Sequence, residues 1–391
     1  MNLFHTYSPI RIASVLLLFL VVSVFTSCQK ETIEGLPLIQ KVRLVDPAKK
    51  DSTFVKALPG TLVVIQGENL SNTLKVYFND YEAPFNSVYN TSTDIIITIP
   101  KEAPTKVNNP SVSNKIRLVT THGETTFNFQ LVPPPPVLDY LYNEFVKDGG
   151  ELTIIGNYFY GVQNVKLGTT DLKIVSNTAT KLVVTLPAKV TTDYITVTCE
   201  EGTVKSKFRL NDPAGNMINF DVPATGWGSA VCWGDAPIVD EKDPDALSGK
   251  FSRIKETKLP KTGWNGAWVL STCYFEFKLP SGKAEDRMFK FEFNAKEPFK
   301  QGMYTIMLKA DNVEYKYNYK PYNDADFASD GYLTKGWKTA SIPLVEFKSG
   351  SGATIADVSK IIDLQILFNT PDEEISTFNC SIDNFRIVVS K

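Results

Sequence analysis

The sequence predicts an all-β chain: tandem immunoglobulin-like sandwiches followed by a jelly-roll-like β-sandwich. Three observations carry this. From Pro37 onward, short alternating runs are separated by Gly, Asn, Asp and Pro, and no long stretch keeps a helical period. Residues 37–132 and 137–211 repeat one another, each with the size and rhythm of one small sandwich. All five tryptophans lie beyond residue 226, at Trp227, Trp233, Trp264, Trp268 and Trp337, which sets the C-terminal part apart. With 391 residues, 43% hydrophobic and 21% charged, the chain has material for several ordinary cores.

The first element is an export signal. Arg11 precedes an apolar run from Ile12 to Phe25 that stops at Thr26-Ser27-Cys28. The run is shorter than the ~20 residues a spanning helix needs, and it ends in small residues as a cleavage site does. Phe25-Thr26-Ser27-Cys28 resembles a bacterial lipobox, with Phe25 where Leu is commoner. The resemblance implies that Cys28 becomes the lipidated first residue. Gln29-Lys30-Glu31 resembles the charged surface-export signal of Bacteroidota lipoproteins. Residues 1–27 are thus expected to be a signal peptide and 28–36 a polar tether, which implies a lipid-anchored protein of the outer membrane facing the cell exterior.

The two repeats come next. In the first, strands are expected at Thr61 to Ile65, Lys75 to Phe78, Ile95 to Ile99, Lys115 to Val119 and Thr125 to Leu131. Thr91-Ser92-Thr93-Asp94-Ile95-Ile96-Ile97-Thr98-Ile99-Pro100 aligns with Thr178-Ala179-Thr180-Lys181-Leu182-Val183-Val184-Thr185-Leu186-Pro187, and Gly60 to Gly67 parallels Gly150 to Gly156. These motifs resemble the IPT/TIG family of immunoglobulin-like domains, which implies one such domain at 37–132 and a second at 133–212. In exported glycan-binding lipoproteins such domains act as rigid spacers. Pro133-Pro134-Pro135-Pro136 between them is expected to be a stiff polyproline II linker.

A boundary near Asn211-Asp212-Pro213 leaves 213–391 as the third domain. Its strands are expected at Cys273 to Leu279, Met288 to Phe293, Tyr304 to Lys309, Ala340 to Leu344, Leu364 to Phe368 and Ser381 to Val389, with a short helix at Ile355 to Ile361. Besides Cys28, the cysteines are Cys199, Cys232, Cys273 and Cys380. Four cysteines in an exported chain allow three disulfide pairings, and buried free thiols fit equally well. No Cys-x-x-Cys spacing or neighbouring His completes a metal site, so no metal is expected.

The charge pattern narrows the partners. Forty-one basic residues against 43 acidic ones give a formal charge of -2, with no bias that would draw the chain to nucleic acid. The two histidines, His5 and His122, lie in the export signal and a turn, so no Ser-His-Asp, Cys-His or His-metal arrangement can be built. No phosphate loop, nucleophile elbow or Gly-x-Gly-x-x-Gly occurs, and no cofactor is expected. Carboxylate chemistry survives. A glycosidase needs two Asp or Glu residues roughly 5–9.5 Å apart, and Asp235, Asp240, Glu241, Glu276, Glu292 and Asp383 are candidates. Scattered solvated charges are the simpler account of them, and a third domain of this size is small for a polysaccharide cleft.

The aromatic clusters carry the positive argument. The faces of neutral sugar rings are apolar C–H patches that stack on Trp and Tyr, while their rims need hydrogen bonds. Trp264 and Trp268 flank Asn265-Gly266, a turn pair expected to keep rings near the surface. Pro321 breaks a strand so that Tyr319 and Tyr322 can project from an edge or loop. Trp233, beside Gly234, fits either a core or an exposed position, and Trp337 is expected in the core.

Tyr317-Asn318-Tyr319-Lys320-Pro321-Tyr322, Gly336-Trp337-Lys338-Thr339-Ala340-Ser341-Ile342-Pro343-Leu344 and Ile382-Asp383-Asn384-Phe385-Arg386-Ile387 resemble the C-terminal domain of the surface glycan-binding proteins of Bacteroidota polysaccharide-utilisation systems. Those proteins share the whole arrangement of lipobox, IPT/TIG spacers and terminal β-domain. The Tyr-rich segment matches a family pattern of Tyr-x-Trp-x-Pro-Trp, with Tyr319 and Tyr322 standing where Trp is frequent. The resemblance implies a non-catalytic protein that captures a neutral glycan, such as a β-glucan, xyloglucan or mannan, beside a TonB-dependent outer-membrane transporter. Trp264, Trp268, Tyr319, Tyr322 and Trp233 are its expected glycan-binding residues. An endo-acting glycosidase and an adhesin that binds protein are the competing readings, and the confinement of Trp to the last domain argues against the adhesin.

Overall fold

A computed structural model describes residues 35–221, 233–261, 268–273, 277–321, 331–370 and 372–390. The export signal and Cys28 lie outside the described residues. Among these, all regular structure is strand or short 3-10 turn, as the alternating patterns predicted, and no helix is long and apolar enough to cross a membrane. The chain divides into two compact units, one up to Pro133 and one from Pro134 on. The division falls inside the Pro133–Pro136 run.

The first repeat has one sheet ordered Leu38–Leu44, Leu62–Glu68, Asp94–Thr98 and another ordered Tyr81–Ala83, Thr73–Phe78, Lys115–Thr120, Gly123–Asn128. Its core is Val63, Ile65, Val76, Phe78, Ile95, Ile97, Ile116 and Leu118. These positions recur at every second residue along their strands, and each fully buried aliphatic or aromatic side chain contributes about 1.5–3 kcal/mol. The second repeat forms the same two layers, Val137–Leu141, Glu151–Asn157, Lys181–Thr185, Lys173–Asn177 against Thr170–Asp171, Val162–Leu167, Tyr194–Cys199, Gly202–Arg209.

The structure explains one shared motif. The opening strand of each repeat carries a bulge, between Ile39 and Lys41 in the first and between Leu138 and Tyr140 in the second. Opposite it stand Gly67 and Gly156. A Cβ there would lie 1.8 Å from the Leu38 carbonyl oxygen and 2.0 Å from that of Val137. Glycine is required because another strand's backbone occupies the side-chain space. Two residues on, the chain turns through a left-handed residue, Asn69 or Tyr158, and plugs the core with Leu70 or Phe159.

The remaining chain makes two facing sheets. A six-stranded sheet runs Ile238–Val239, Phe251–Glu256, Phe378–Val389, Arg287–Ala295, Lys338–Pro343, with Asn216–Ile218 also paired to Phe378–Val389. A five-stranded sheet runs Trp233–Gly234, Trp268–Ser271, Ile361–Asn369, Met303–Ala310, Val313–Tyr319. Between them lies an aromatic core of Phe289, Phe291, Phe293, Tyr304, Phe368, Phe378 and Phe385. Two expectations are corrected. Cys273 is a bend and Phe277 to Leu279 are not strand. The expected helix near Ile355 shrinks to a 3-10 turn, Val358–Lys360, in which Asp357 caps the Ser359 N–H. Cys199 and Cys380 are buried free thiols, while Cys273 is disulfide-bonded.

Candidate functional site

In the five-stranded sheet the register aligns Trp268 with Phe368, Phe368 with Tyr304, and Tyr304 with Tyr319. This row of four aromatics crosses the sheet near one end and points inward. Trp268 is 1% exposed and stands edge-on to Tyr304, with centroids 6.3 Å apart. Tyr319 is 5% exposed and meets Phe291 edge-on at 5.2 Å. The expectation that these two rings lie at the surface is therefore corrected. Strand phase decides the matter: Trp268 shares its face with buried Leu270, and Tyr319 shares its face with buried Tyr315, so nearby turn residues cannot turn either ring outward.

Trp264 and Tyr322 lie outside the described residues, in segments that flank this row. Residues 262–267 lead into Trp268, and residues 322–330 follow the strand that Tyr319 ends. Trp233 enters the same sheet at its edge, paired with Ser271. The topology thus brings the strand ends next to residues 262–267 and 322–330 to one end of one sheet, with Trp233 three register positions further along, at the level of Ser271. Trp337 is buried as expected. It lies edge-on to Phe251 at 5.6 Å, and its Nε1 donates to the Asp245 carbonyl at 2.7 Å.

The outer face of this sheet end holds groups that sequence reasoning missed. One residue out of phase with the aromatic row, Val269 aligns with Leu367, Leu367 with Thr305, and Thr305 with Asn318. Asn369 Nδ2 donates to Thr305 Oγ1 at 3.2 Å, and Thr305 Oγ1 donates to Asn318 Oδ1 at 3.0 Å. Leu367 and Asn369 are buried at 9% and 8% exposure, so the accessible part of this ladder is Asn318 and the half-buried Thr305 and Val269, a hydroxyl and an amide that suit the hydroxyl rim of a sugar. The signal was present in the alternation of Tyr304, Thr305, Ile306 and Tyr317, Asn318, Tyr319, but it becomes readable only once the pairing of strands is known.

The other face of the domain is electrostatic. Glu144, from the second repeat, accepts from Lys290 at 2.5 Å and from Arg386 at 2.8 Å, and Arg386 also meets Glu292 at 2.9 Å. Thr339 ties the ring together, donating to Glu292 at 2.8 Å and accepting the Glu144 backbone N–H at 2.7 Å. Lys290 stands 3.2 Å from the Phe208 ring centroid and Arg386 4.7 Å from that of Phe145. All four ionic groups are buried. Burial lowers the Lys290 ammonium to about 8 and pushes the Glu292 carboxyl up. Burial also holds the neighbouring Asp383 well above the usual carboxylate range.

This accounts for two of the carboxylates considered for glycoside hydrolysis. Glu292 is 0% and Asp383 1% exposed, inside the network rather than in an open cleft. Asp235 accepts the Val269 N–H at 2.7 Å at the edge of the five-stranded sheet, and Asp240 accepts the Lys242 N–H at 3.0 Å within a turn. Glu276 lies outside the described residues. Among the described residues no group of three or more His, Cys, Asp or Glu is placed to hold a metal.

Two segments of the chain resemble known domains. Residues 210–389 match the family model of the surface glycan-binding protein B xyloglucan binding domain, and residues 52–129 match the IPT/TIG domain. An IPT/TIG domain-containing protein of Bacteroides ovatus is 34% identical over 245 residues, covering 58% of this chain and 50% of that protein. The chain therefore spans about half the length of the curated relative it matches. The crystal structure of the surface glycan-binding protein PbSGBP-B from Prevotella bryantii shares the fold, at 23% identity and TM-score 0.70, covering 91% of this chain and 99% of that one. A Bacteroides uniformis SGBP-B from a complex xyloglucan utilization locus matches at 19% identity and TM-score 0.52, covering 90% and 99%. The chain is all-β, with residues 52–129 similar to the IPT/TIG domain ahead of a terminal β-domain. Residues 210–389 are similar to the xyloglucan binding domain of surface glycan-binding protein B.

Proposed function

We propose that this chain is a non-catalytic receptor that captures a neutral, β-linked polysaccharide, xyloglucan first among the candidates, at the cell surface. The family match of residues 210–389 carries the reading. We place the glycan at the end of the five-stranded sheet, where Val269, Thr305 and Asn318 supply the outer face and Trp233, Trp264 and Tyr322 supply stacking rings. Trp268 and Tyr319 support that end from below. We divide the chain into a signal peptide at 1–27, a tether at 28–36, immunoglobulin-like domains at 37–132 and 133–212, and the glycan-binding domain at 213–391. Cys28 is the lipidation site, and the captured glycan passes to a TonB-dependent outer-membrane transporter.

The test is affinity electrophoresis and calorimetry of the mature chain against xyloglucan, mixed-linkage β-glucan and mannan, with a reducing-sugar assay run alongside. Binding to at least one polymer without release of reducing ends is the expected result. New reducing ends would favour the glycosidase, and no binding to any polymer would leave the adhesin. The anchor is tested separately: Cys28→Ala should abolish lipid labelling and outer-membrane retention.

A further inference from the structure

A second place suits a sugar. A cleft of about 440 Å³ opens between the second repeat and the six-stranded sheet, lined by Asp139, Tyr140 and Lys207 on one side and by Lys338, Ser341 and Ser390 on the other. Tyr319, the last residue of the aromatic row, also lines it.

The bulge at Leu138 to Tyr140 makes this cleft chemically unusual. In a regular strand Asp139 and Tyr140 would point to opposite faces, whereas here both are exposed, Tyr140 by 45%. The first repeat provides an internal control. Register aligns Gln40 with Asp139 and Lys41 with Tyr140, and the same cross-strand bond is kept, Gln40 to Glu68 at 2.7 Å and Asn157 to Asp139 at 3.0 Å. Bulge and bond therefore belong to the shared fold. The ring and the carboxylate are particular to the copy whose bulge lines this cleft.

We propose that the cleft is a second carbohydrate-contacting site, taking a neutral sugar unit. The inference rests on the glycan-binding reading above. The Tyr140 ring stacks on a pyranose C–H face and the Asp139 carboxylate accepts its hydroxyl protons, while Lys338, Ser341 and Ser390 meet the opposite rim. The walls are set before the ligand arrives. Glu144, four residues beyond Tyr140, is clamped to Lys290 and Arg386, and the Thr339 N–H donates to the Tyr142 carbonyl at 2.8 Å. Little ordering is left to oppose binding.

The experiment is calorimetric titration of the full mature chain with xyloglucan, mixed-linkage β-glucan and mannan, comparing wild type with Asp139→Ala, Tyr140→Ala and Tyr140→Lys. Tyr140→Lys installs the side chain that the same bulge already carries in the first repeat, so the fold is preserved. Lys41→Ala serves as the control in that repeat. Affinity for the bound polymer should fall about threefold to tenfold in all three cleft variants, the worth of one aromatic contact in the Tyr140 variants and of one net hydrogen bond in Asp139→Ala, with Lys41→Ala unchanged and melting temperatures held. Wild-type affinity in Tyr140→Lys and Asp139→Ala would overturn the second site while leaving the receptor reading intact. Failure of wild type to bind any of the polymers would overturn both.

Discussion

Glu144 lies 242 residues before Arg386 in the chain, yet the two are joined at 2.8 Å across the face of the six-stranded sheet. The second carboxylate oxygen of Glu144 takes Lys290 at 2.5 Å. One residue of an immunoglobulin-like repeat thus neutralises two cations that the next domain buries. Breaking a buried pair from one side leaves uncompensated charge, which costs about 3–5 kcal/mol. Glu144→Ala should lower the unfolding free energy of the unit from Pro134 on by that amount, with the transition of the first unit unmoved. Denaturant titration of the mature chain, followed by tryptophan fluorescence, reads the second unit alone because every Trp lies there. A shift below about 1 kcal/mol, the scale of an exposed pair, would show that the network is not buried in solution.

Lys290 gives a pH signature. Its ammonium faces Glu144, Arg386, Glu292 and the Phe208 ring, and burial brings its pKa down from 10.5 to about 8. Between about pH 8 and 10.5 the unfolded chain holds a proton that the folded chain has released, so stability rises with pH across that window. The slope approaches about 1.4 kcal/mol per pH unit, one proton's worth. Below pH 8 both states are protonated and the contribution is flat. Lys290→Met should remove the rise, as measured by chemical denaturation at a series of pH values. An identical slope in wild type and variant would assign the effect to other groups.

The aromatic residues should separate into two sets. Trp268→Ala, Tyr319→Ala and Trp337→Ala remove buried rings and should each cost about 3–5 kcal/mol of stability. Trp264→Ala and Tyr322→Ala should leave the melting temperature near wild type and weaken glycan binding about tenfold or more, on the order of 1–3 kcal/mol. Asn318→Ala, at the sheet's outer face, belongs with the second set. Paired melting and calorimetric measurements on each variant check the division, and an early melt for Trp264→Ala or Tyr322→Ala would return that ring to the core.

The thiols provide an independent check on the cores. Burial raises the pKa of Cys199 and raises that of Cys380 further, so neither offers a thiolate to reagent. Both should resist alkylation in the native protein and react fully in denaturant, whereas Cys273 should stay blocked until a reductant is added. Peptide mass spectrometry after labelling decides this. Native labelling of Cys380 would contradict its place between the sheets.

The repeats were legible in the sequence because their signals are local. Alternation in Lys115–Thr120 and Tyr194–Cys199 and the glycines at 67 and 156 follow from pairing within one small domain. The aromatic positions were less legible. Asn265-Gly266 is a local turn signal, but whether Trp268 points inward depends on its strand neighbour Phe368, 100 residues further along the chain, and on Tyr304 in the strand beyond that, 36 residues along from Trp268. Glu144 was invisible for a stronger reason. A lone glutamate among solvated charges has no sequence mark that separates it from its neighbours, and only the approach of Lys290 and Arg386 gives it a role.

The ion-paired junction at Glu144 also bears on how such proteins exchange parts. A recombination event that moves residues 213–391 into a new host leaves Lys290 without its ion-pair partner and Arg386 with Glu292 alone, however well the two sheets are copied. The inheritable piece is therefore longer than the module that holds the sugar. Any successful graft has to bring residues 134–212 with it, or find in the recipient a carboxylate at the same spot.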